Sequence, residues 1–291
     1  MIQSKAEKTF YIINNIFLLI CAVVAVYPLL YVLSASLSDP TSVAMGNIRL
    51  FPKGLNLNSY KEVINYNNGA IWVAYANTFY YVIVGTAVSL LLTIFTAYPL
   101  SKKRLRGGTI ITFLVAFTMW FSAGMIPTYL NYRDFHLVDT RTSILLHGAI
   151  VSFYVFMMKT FFQSIPDSLE EAAKIDGAGD IYIMLHIYLP LSASCIITIM
   201  LYYLVGRWNA YLWSSILLNT ESKIPLQVLL KKLVVDANWN AETAGIDSVK
   251  DYNAETLVYA TMVVSIVPML ILYPFLQKYF IKGVMIGAIK G

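Results

Sequence analysis

The placement of charge constrains this chain more than any other feature. No Asp, Glu, Lys or Arg occurs between Lys8 and Asp39 or between Arg106 and Arg133, and the charges elsewhere fall in clusters separated by long gaps. A helix rises 1.5 Å per residue, so about 20 apolar residues cross a hydrocarbon core about 30 Å thick. Six segments meet or approach that length: about residues 11–33, 76–100, 109–130, 143–162, 189–211 and 257–275. The fourth has the shortest clean interval, between Arg141 and Lys159 with His147 inside it; Lys159 can snorkel to the interface. A Lys, Arg or Asp at a helix centre costs roughly 2.5–3.5 kcal/mol on insertion scales, so six intervals nearly free of charge argue for a bilayer rather than a soluble core. Of 291 residues 58% are hydrophobic and 13% charged, where a soluble domain carries about 25% charge. The expectation is an all-α integral membrane protein with six transmembrane helices in a single domain over 1–291.

Orientation follows from Lys and Arg. The turn SKKRLRGG sets Lys102, Lys103, Arg104 and Arg106 between the second and third segments, which marks that side as cytoplasmic. Lys5 and Lys8, the loop 163–188, and Lys278, Lys282 and Lys290 then share it, so both termini are expected inside. The net charge of +5 is read as this orientation signal: membrane lipid is an expected partner and nucleic acid is not. The outer segments, about 38–72, 131–142 and 212–256, mix acids and bases. The last is long and Asn-rich, contains Trp239, and is either a docking surface for an extracytoplasmic partner or flexible filler. The apolar stretch after MIQSKAEKTF exceeds the h-region of a cleaved signal peptide and is taken as the first span. Cys21 and Cys195 both lie in apolar runs, which leaves no disulfide framework, and no metal site is expected.

The cytoplasmic stretch SIPDSLEEAAKIDGAGDIYIMLHIYLP, Ser164 to Pro190, reads as a short helix. Ser164 can cap it, Pro166 suits the first turn, and Asp167 and Glu170 favour the positive end of the dipole. Ile165, Leu169, Ala172 and Ala173 recur at helical spacing and give one apolar face, kept low by the alanines so that another protein can approach closely. Glu170 can pair with Lys174 at i, i+4, and Gly177 can end the helix in the left-handed conformation.

Glu171, Ala172, Ala173, Gly177, Ile187, Leu189 and Pro190, at these fixed spacings before the penultimate span, resemble the EAA signature of bacterial ABC importer permeases. The resemblance implies the type I importer permease fold, with this loop as a coupling helix seated in a cleft of a separate ATPase. On that reading Glu171, Ala172, Ala173 and Gly177 form the contact, Asp176 belongs to it, and Ile187, Leu189 and Pro190 complete the motif. It further implies two ATPase subunits that hold ATP and Mg, a second homologous permease as heterodimer partner, an extracytoplasmic solute-binding protein, and a multi-pass place in the bacterial cytoplasmic (inner) membrane. This chain is expected to carry no catalytic residue and no cofactor of its own.

The tail QKYFIKGVMIGAIKG is similar to the ending of carbohydrate-importer permeases of the MalG-like type. Its Gly283, Gly287 and Lys290 lack the spacing, the Ser or Thr, and the preceding strand of a phosphate loop. YPLLYVLSASLSDP and MGNIRLFPKGLNLNSYKEVI look like the first span and outer segment of the same group, especially its LplC or YtcP-like members. The implied solute is a carbohydrate, an oligosaccharide or polysaccharide fragment.

The fifth segment continues as IMLYYLVGRWNAYLWSS, which brings Tyr202, Tyr203, Trp208, Asn209, Tyr211 and Trp213 close together. Aromatic rings suit the C–H faces of sugars and a carboxamide suits their hydroxyls, but Trp and Tyr also collect at membrane interfaces without any ligand. Trp120, Tyr129 and Tyr154 are weaker candidates for the same path, and Arg207 is placed at the outer end of the span, reaching headgroups or water, with a pore role as the lesser reading. An ATP-independent secondary transporter or channel is the competing reading. It usually needs ionisable groups at mid-membrane, and these segments have almost none.

Overall fold

A computed structural model of the chain describes residues 5–243 and 253–288, with side chains over 7–236 and 253–274. The described residues form helices and turns without strands. The chain divides into two compact units, one of residues 1–71 and 230–269, the other of 72–229 and 270–291.

The first unit begins with α1 (Lys5–Ser36), whose large apolar side chains from Phe10 to Leu33 are exposed nearly all round. A helix apolar on every face is stable in lipid or in a core, and among the described residues no core covers it. The chain then turns at Asp39, which accepts from the Thr41 and Ser42 amides, each at 3.2 Å, and caps α2 (Pro40–Ala44) with Pro40 in the first turn. The next helix, α3 (Asn58–Ser101), is interrupted where Asn67, Asn68 and Gly69 take positive φ of 48°, 56° and 79°. Asn and Gly are the residues that adopt this region at least cost.

The second unit contains the remainder of α3, followed by α4 (Gly108–Trp120) and α5 (Met125–Asp134), which are bent from one another by 119°. The expected span 109–130 is therefore two helices. Phe121 is extended and Gly124 has a φ of +87°, so the run FSAG leaves the helix, and 13 residues of α4 cover about 20 Å, short of a crossing. The expected span 143–162 is likewise split into α6 (Arg141–Leu146) and α7 (Ser152–Gln163) by a turn in which Gly148 has a φ of +63°. After α8 (Asp167–Ile175) come α9 (Asp180–Ile183), a π turn (Met184–Tyr188), α10 (Leu189–Leu191) and α11 (Ala193–Trp208). The segment Asp180–Leu191 meets α11 at 82°, so the expected span 189–211 reduces to α11 with a bent lead-in. Pro190 has no N–H for the carbonyl four residues back, and the π turn ends just before it. α12 (Leu212–Leu217) and a 3₁₀ turn (Glu221–Lys223) complete the run. The core of this unit joins Ile94 and Tyr98 of α3, Met158 and Phe162 of α7, Tyr188, and Ile199 of α11.

Asp139 fastens the loops of this unit. It accepts from the Asn219 and Thr220 amides, both at 3.0 Å, from the Thr220 hydroxyl at 2.5 Å and from Lys223 at 3.2 Å. The Thr220 bonds foremost hold its carboxyl well below the usual carboxylate range.

The expected outer segment 212–256 is not a structureless loop as far as it is described, because α13 (Leu226–Thr243) occupies much of it and buries Leu226, Leu229, Leu230 and Leu233. Trp239 lies outside the described side chains. In the first unit α14 (Ala254–Ala288) starts from a reciprocal cap: the Thr256 amide donates to Asn253 Oδ1 at 2.8 Å, and the Asn253 amide donates to Thr256 Oγ1 at 3.1 Å. The side chains of the tail from residue 275 lie outside the description. Among the described residues three helices are long and apolar enough to cross a membrane, Glu7–Ser36, Asn58–Ser101 and Ala254–Pro274, or five if each bent pair is one span.

Candidate functional site

Two features of the second unit carry the chemistry, and α11 connects them. At its N-terminal side stands α8. Ser164 does not cap this helix: its hydroxyl donates to Phe161 O at 2.7 Å and closes α7, while Pro166 occupies the cap and Asp167 and Glu170 the first turn. The helix ends as its glycine requires. Gly177, at φ +82°, donates to Lys174 O at 3.0 Å, and Ala178 donates to Ala173 O at 2.9 Å, the paired bonds that satisfy the last carbonyls of a helix.

Glu170 is the anchor of this end. Its side chain is buried, with Lys102 Nζ at 2.5 Å, Lys174 Nζ at 2.5 Å and an Arg104 Nη at 3.1 Å. Tyr188 Oη donates to the same carboxylate at 2.9 Å. Lys102 also sits 3.5 Å over the Tyr188 ring, and Arg104 pairs with Asp180. Burial alone would raise the Glu170 pKa, but the bonds from Lys102 and Tyr188 and the charges of Lys102 and Arg104 outweigh it and hold the carboxyl below its ordinary value. Burial pulls the Lys102 ammonium downward, opposed by Glu170. The basic turn after α3, helix α8 and the π turn are thus tied through one carboxylate.

At the C-terminal end of α11 lies a cavity of about 370 Å³. Its wall includes Tyr154, Tyr202, Tyr203, Arg207, Asn209 and Trp213. Tyr203 Oη is fixed by Thr93 Oγ1 at 2.8 Å and by the Val151 amide, which donates to it at 3.2 Å. Arg207 Nη1 donates to Ile144 O at 3.0 Å, and Nη2 to Ser89 Oγ at 2.7 Å and Leu145 O at 3.1 Å. Ile144 and Leu145 lie in the last turn of α6, where carbonyls have no partner within the helix. Among the described residues no cluster of His, Cys, Asp and Glu is placed to hold a metal ion.

Comparison with known proteins bears on this arrangement. The family model described as "Binding-protein-dependent transport system inner membrane component" matches residues 69–286. The chain belongs to this family. The permease is 38% identical over 276 residues to the polygalacturonan/rhamnogalacturonan transport system permease protein YtcP of Bacillus subtilis (strain 168), covering 94% of this chain and 96% of that one. It is 35% identical over 291 residues to Protein LplC of the same strain, covering 100% and 98%. Among solved structures it is similar, at TM-score 0.86 and 43% identity, to a chain from the crystal structure of a bacterial ABC transporter involved in the import of the acidic polysaccharide alginate, covering 96% of this chain and 99% of that one. The permease therefore has the type I ABC permease fold expected from its signature.

Within the permease the signature residues separate by direction. Glu171, Ala172, Asp176 and Gly177 are exposed, whereas Ala173, Ile187 and Leu189 pack against the core and Pro190 is exposed at the bend. Leu169 is exposed, so the expected apolar face is only partly covered by this chain. The Glu170–Lys174 pair forms as its spacing predicts. Of the solute-path candidates, Tyr203, Asn209 and Tyr211 line the cavity. Trp208 does not: it is 2% exposed and packs edge-on against Phe79, because one residue along a helix turns the side chain by about 100°. Trp120 stands on α4, 83% exposed and away from the cavity wall. Arg207 turns inward rather than towards headgroups. Tyr154, a weaker candidate in the sequence, does line the cavity, whereas the central place of Glu170 and the cavity position of His147 escaped sequence reasoning. The i, i+4 spacing to Lys174 was the one local signal for Glu170.

Proposed function

We propose that this permease is the membrane subunit of an ATP-binding-cassette importer for a carbohydrate, an oligosaccharide or polysaccharide fragment, moved by alternating access. The reading is carried by one geometry: an exposed signature surface on α8, fixed to the rest of the unit through Glu170, at one end of α11, with an aromatic cavity at the other. The 16 residues of α11 span about 24 Å, so displacement of α8 is transmitted to the cavity by a rigid element. The carbohydrate names of its relatives support the substrate class.

On this reading Glu171, Ala172, Ala173, Asp176 and Gly177 meet the ATPase, and Ile187, Leu189 and Pro190 carry its motion into α11. ATP and Mg are held by two partner ATPase subunits, a second homologous permease completes the pore, and a solute-binding protein delivers the sugar. Six crossings with both termini in the cytoplasm of a bacterial inner membrane suit the basic turn 102–106, with the bent segments as broken spans. Tyr203, Asn209 and Tyr211 are the solute-path residues. Reconstitution of Glu171→Ala with its partners tests the assignment: ATP hydrolysis without uptake is expected, and unchanged uptake removes the role given to Glu171.

A further inference from the structure

We infer that the cavity at the end of α11 receives a carboxylate-bearing sugar residue, selected by Arg207. This deepens the carbohydrate-import reading and rests on it. The first observation is a charge imbalance. None of the residues lining the cavity is Asp or Glu, and among the described residues none of the ion pairs includes Arg207. A cation in a membrane segment is rare, pairs with an acid or with backbone carbonyls, and where it faces a cavity marks a substrate pathway.

The guanidinium is nevertheless held firmly. Two carbonyls and the Ser89 hydroxyl fix its terminal nitrogens, and Nε is buried with no partner. Gly85 makes room for it, since a Cβ there would lie 2.5 Å from Nη1. Neutral oxygens orient an arginine without cancelling its charge, so the cavity keeps a positive potential in surroundings of low dielectric. Its walls also suit a sugar. Tyr154 and Tyr202 stack with ring centroids 5.7 Å apart and 8° between planes, and with Tyr203 they make the wall aromatic, a surface that suits the C–H groups of a sugar. Asn209 offers a carboxamide to hydroxyls. The volume falls at the small end of the ~300–1,000 Å³ of ligand pockets, enough for a short piece of the chain at a time.

The test uses the assembled transporter in liposomes with its binding protein, and a panel of oligouronates with their methyl esters, pairs that differ in the carboxylate. The readout is the ratio of acid to ester uptake. Arg207→Met is expected to lower that ratio by about tenfold or more relative to wild type, because charge-assisted bonds are worth at least that. The binding protein's own preference is common to both and cancels. If Arg207 serves only to hold α6, both uptakes fall in proportion, the ratio stays, and the inference is overturned. Should Arg207→Met fail to assemble, Asn209→Asp adds a carboxylate to the wall of the same cavity with the arginine intact: a lowered ratio supports the inference and an unchanged ratio overturns it. A wild type that imports only neutral oligosaccharides overturns the inference and leaves carbohydrate import standing. One that imports no oligosaccharide of the panel overturns both.

Discussion

Glu170 and Arg207 are both enclosed charges of the second unit, and their surroundings are opposite. Three cations and a phenol converge on Glu170, while among the described residues Arg207 donates to carbonyls and a hydroxyl and to no carboxylate. A carboxylate neutralised within its own chain needs no partner and serves to fix position, so α8 presents its exposed residues from a rigid base. A cation oriented but not neutralised leaves a charge for something else to meet. One end of the assembly is closed electrostatically and the other is open.

Breaking the closed end should cost most. Glu170→Ala leaves Lys102 buried without its carboxylate, and removal of one partner of a buried pair costs about 3–5 kcal/mol. Thermal unfolding of the detergent-purified transporter measures it, and a loss below about 1 kcal/mol would mean the network is solvated rather than closed. Acid weakens the same contact reversibly. Because the folded pKa of Glu170 lies below its unfolded value, its stabilisation is full above the unfolded pKa and is lost as pH falls through the folded one. Unfolding followed from neutral to acidic pH should therefore show a loss of stability that Glu170→Gln lacks.

At the open end, Gly85→Ala drives a methyl into the guanidinium, an overpacking expected to cost about 1–3 kcal/mol and to displace Arg207 from Ser89. The combination with Arg207→Met should recover part of that loss, and full additivity in unfolding would show that the two do not meet. The smallest effect on stability is expected from Glu171→Ala, within about 0.5 kcal/mol because the side chain is exposed, even though uptake falls. A large loss of stability there would mean that Glu171, like Glu170, belongs to the closed end.

The long helices were legible because lipid demands continuous apolar length, which a sequence displays directly. The apolar stretches within α1, α3 and α14 follow from charge-free intervals. The breaks in the others depend on a few backbone conformations, at Phe121–Gly124, Gly148 and Ser192, that hydropathy does not register. The helix of the signature and its glycine stop were readable for a local reason, since capping and termination involve neighbours in sequence. The partners of Glu170 were readable only as far as Lys174, four residues away. Lys102 is 68 residues distant and Tyr188 is 18, and that convergence is a product of packing. Trp208 and Asn209 show the same limit on the cavity side, adjacent in sequence and facing different surroundings.

The most direct test is the neighbour of α8. A cysteine at exposed Ala172, in a chain with Cys21 and Cys195 replaced by serine, would be crosslinked within the transporter purified from native membrane. A crosslink to the nucleotide-hydrolysing subunit that arrests uptake is the predicted result. A crosslink to the extracytoplasmic binding protein, or labelling of that cysteine only from the outer face, would contradict it.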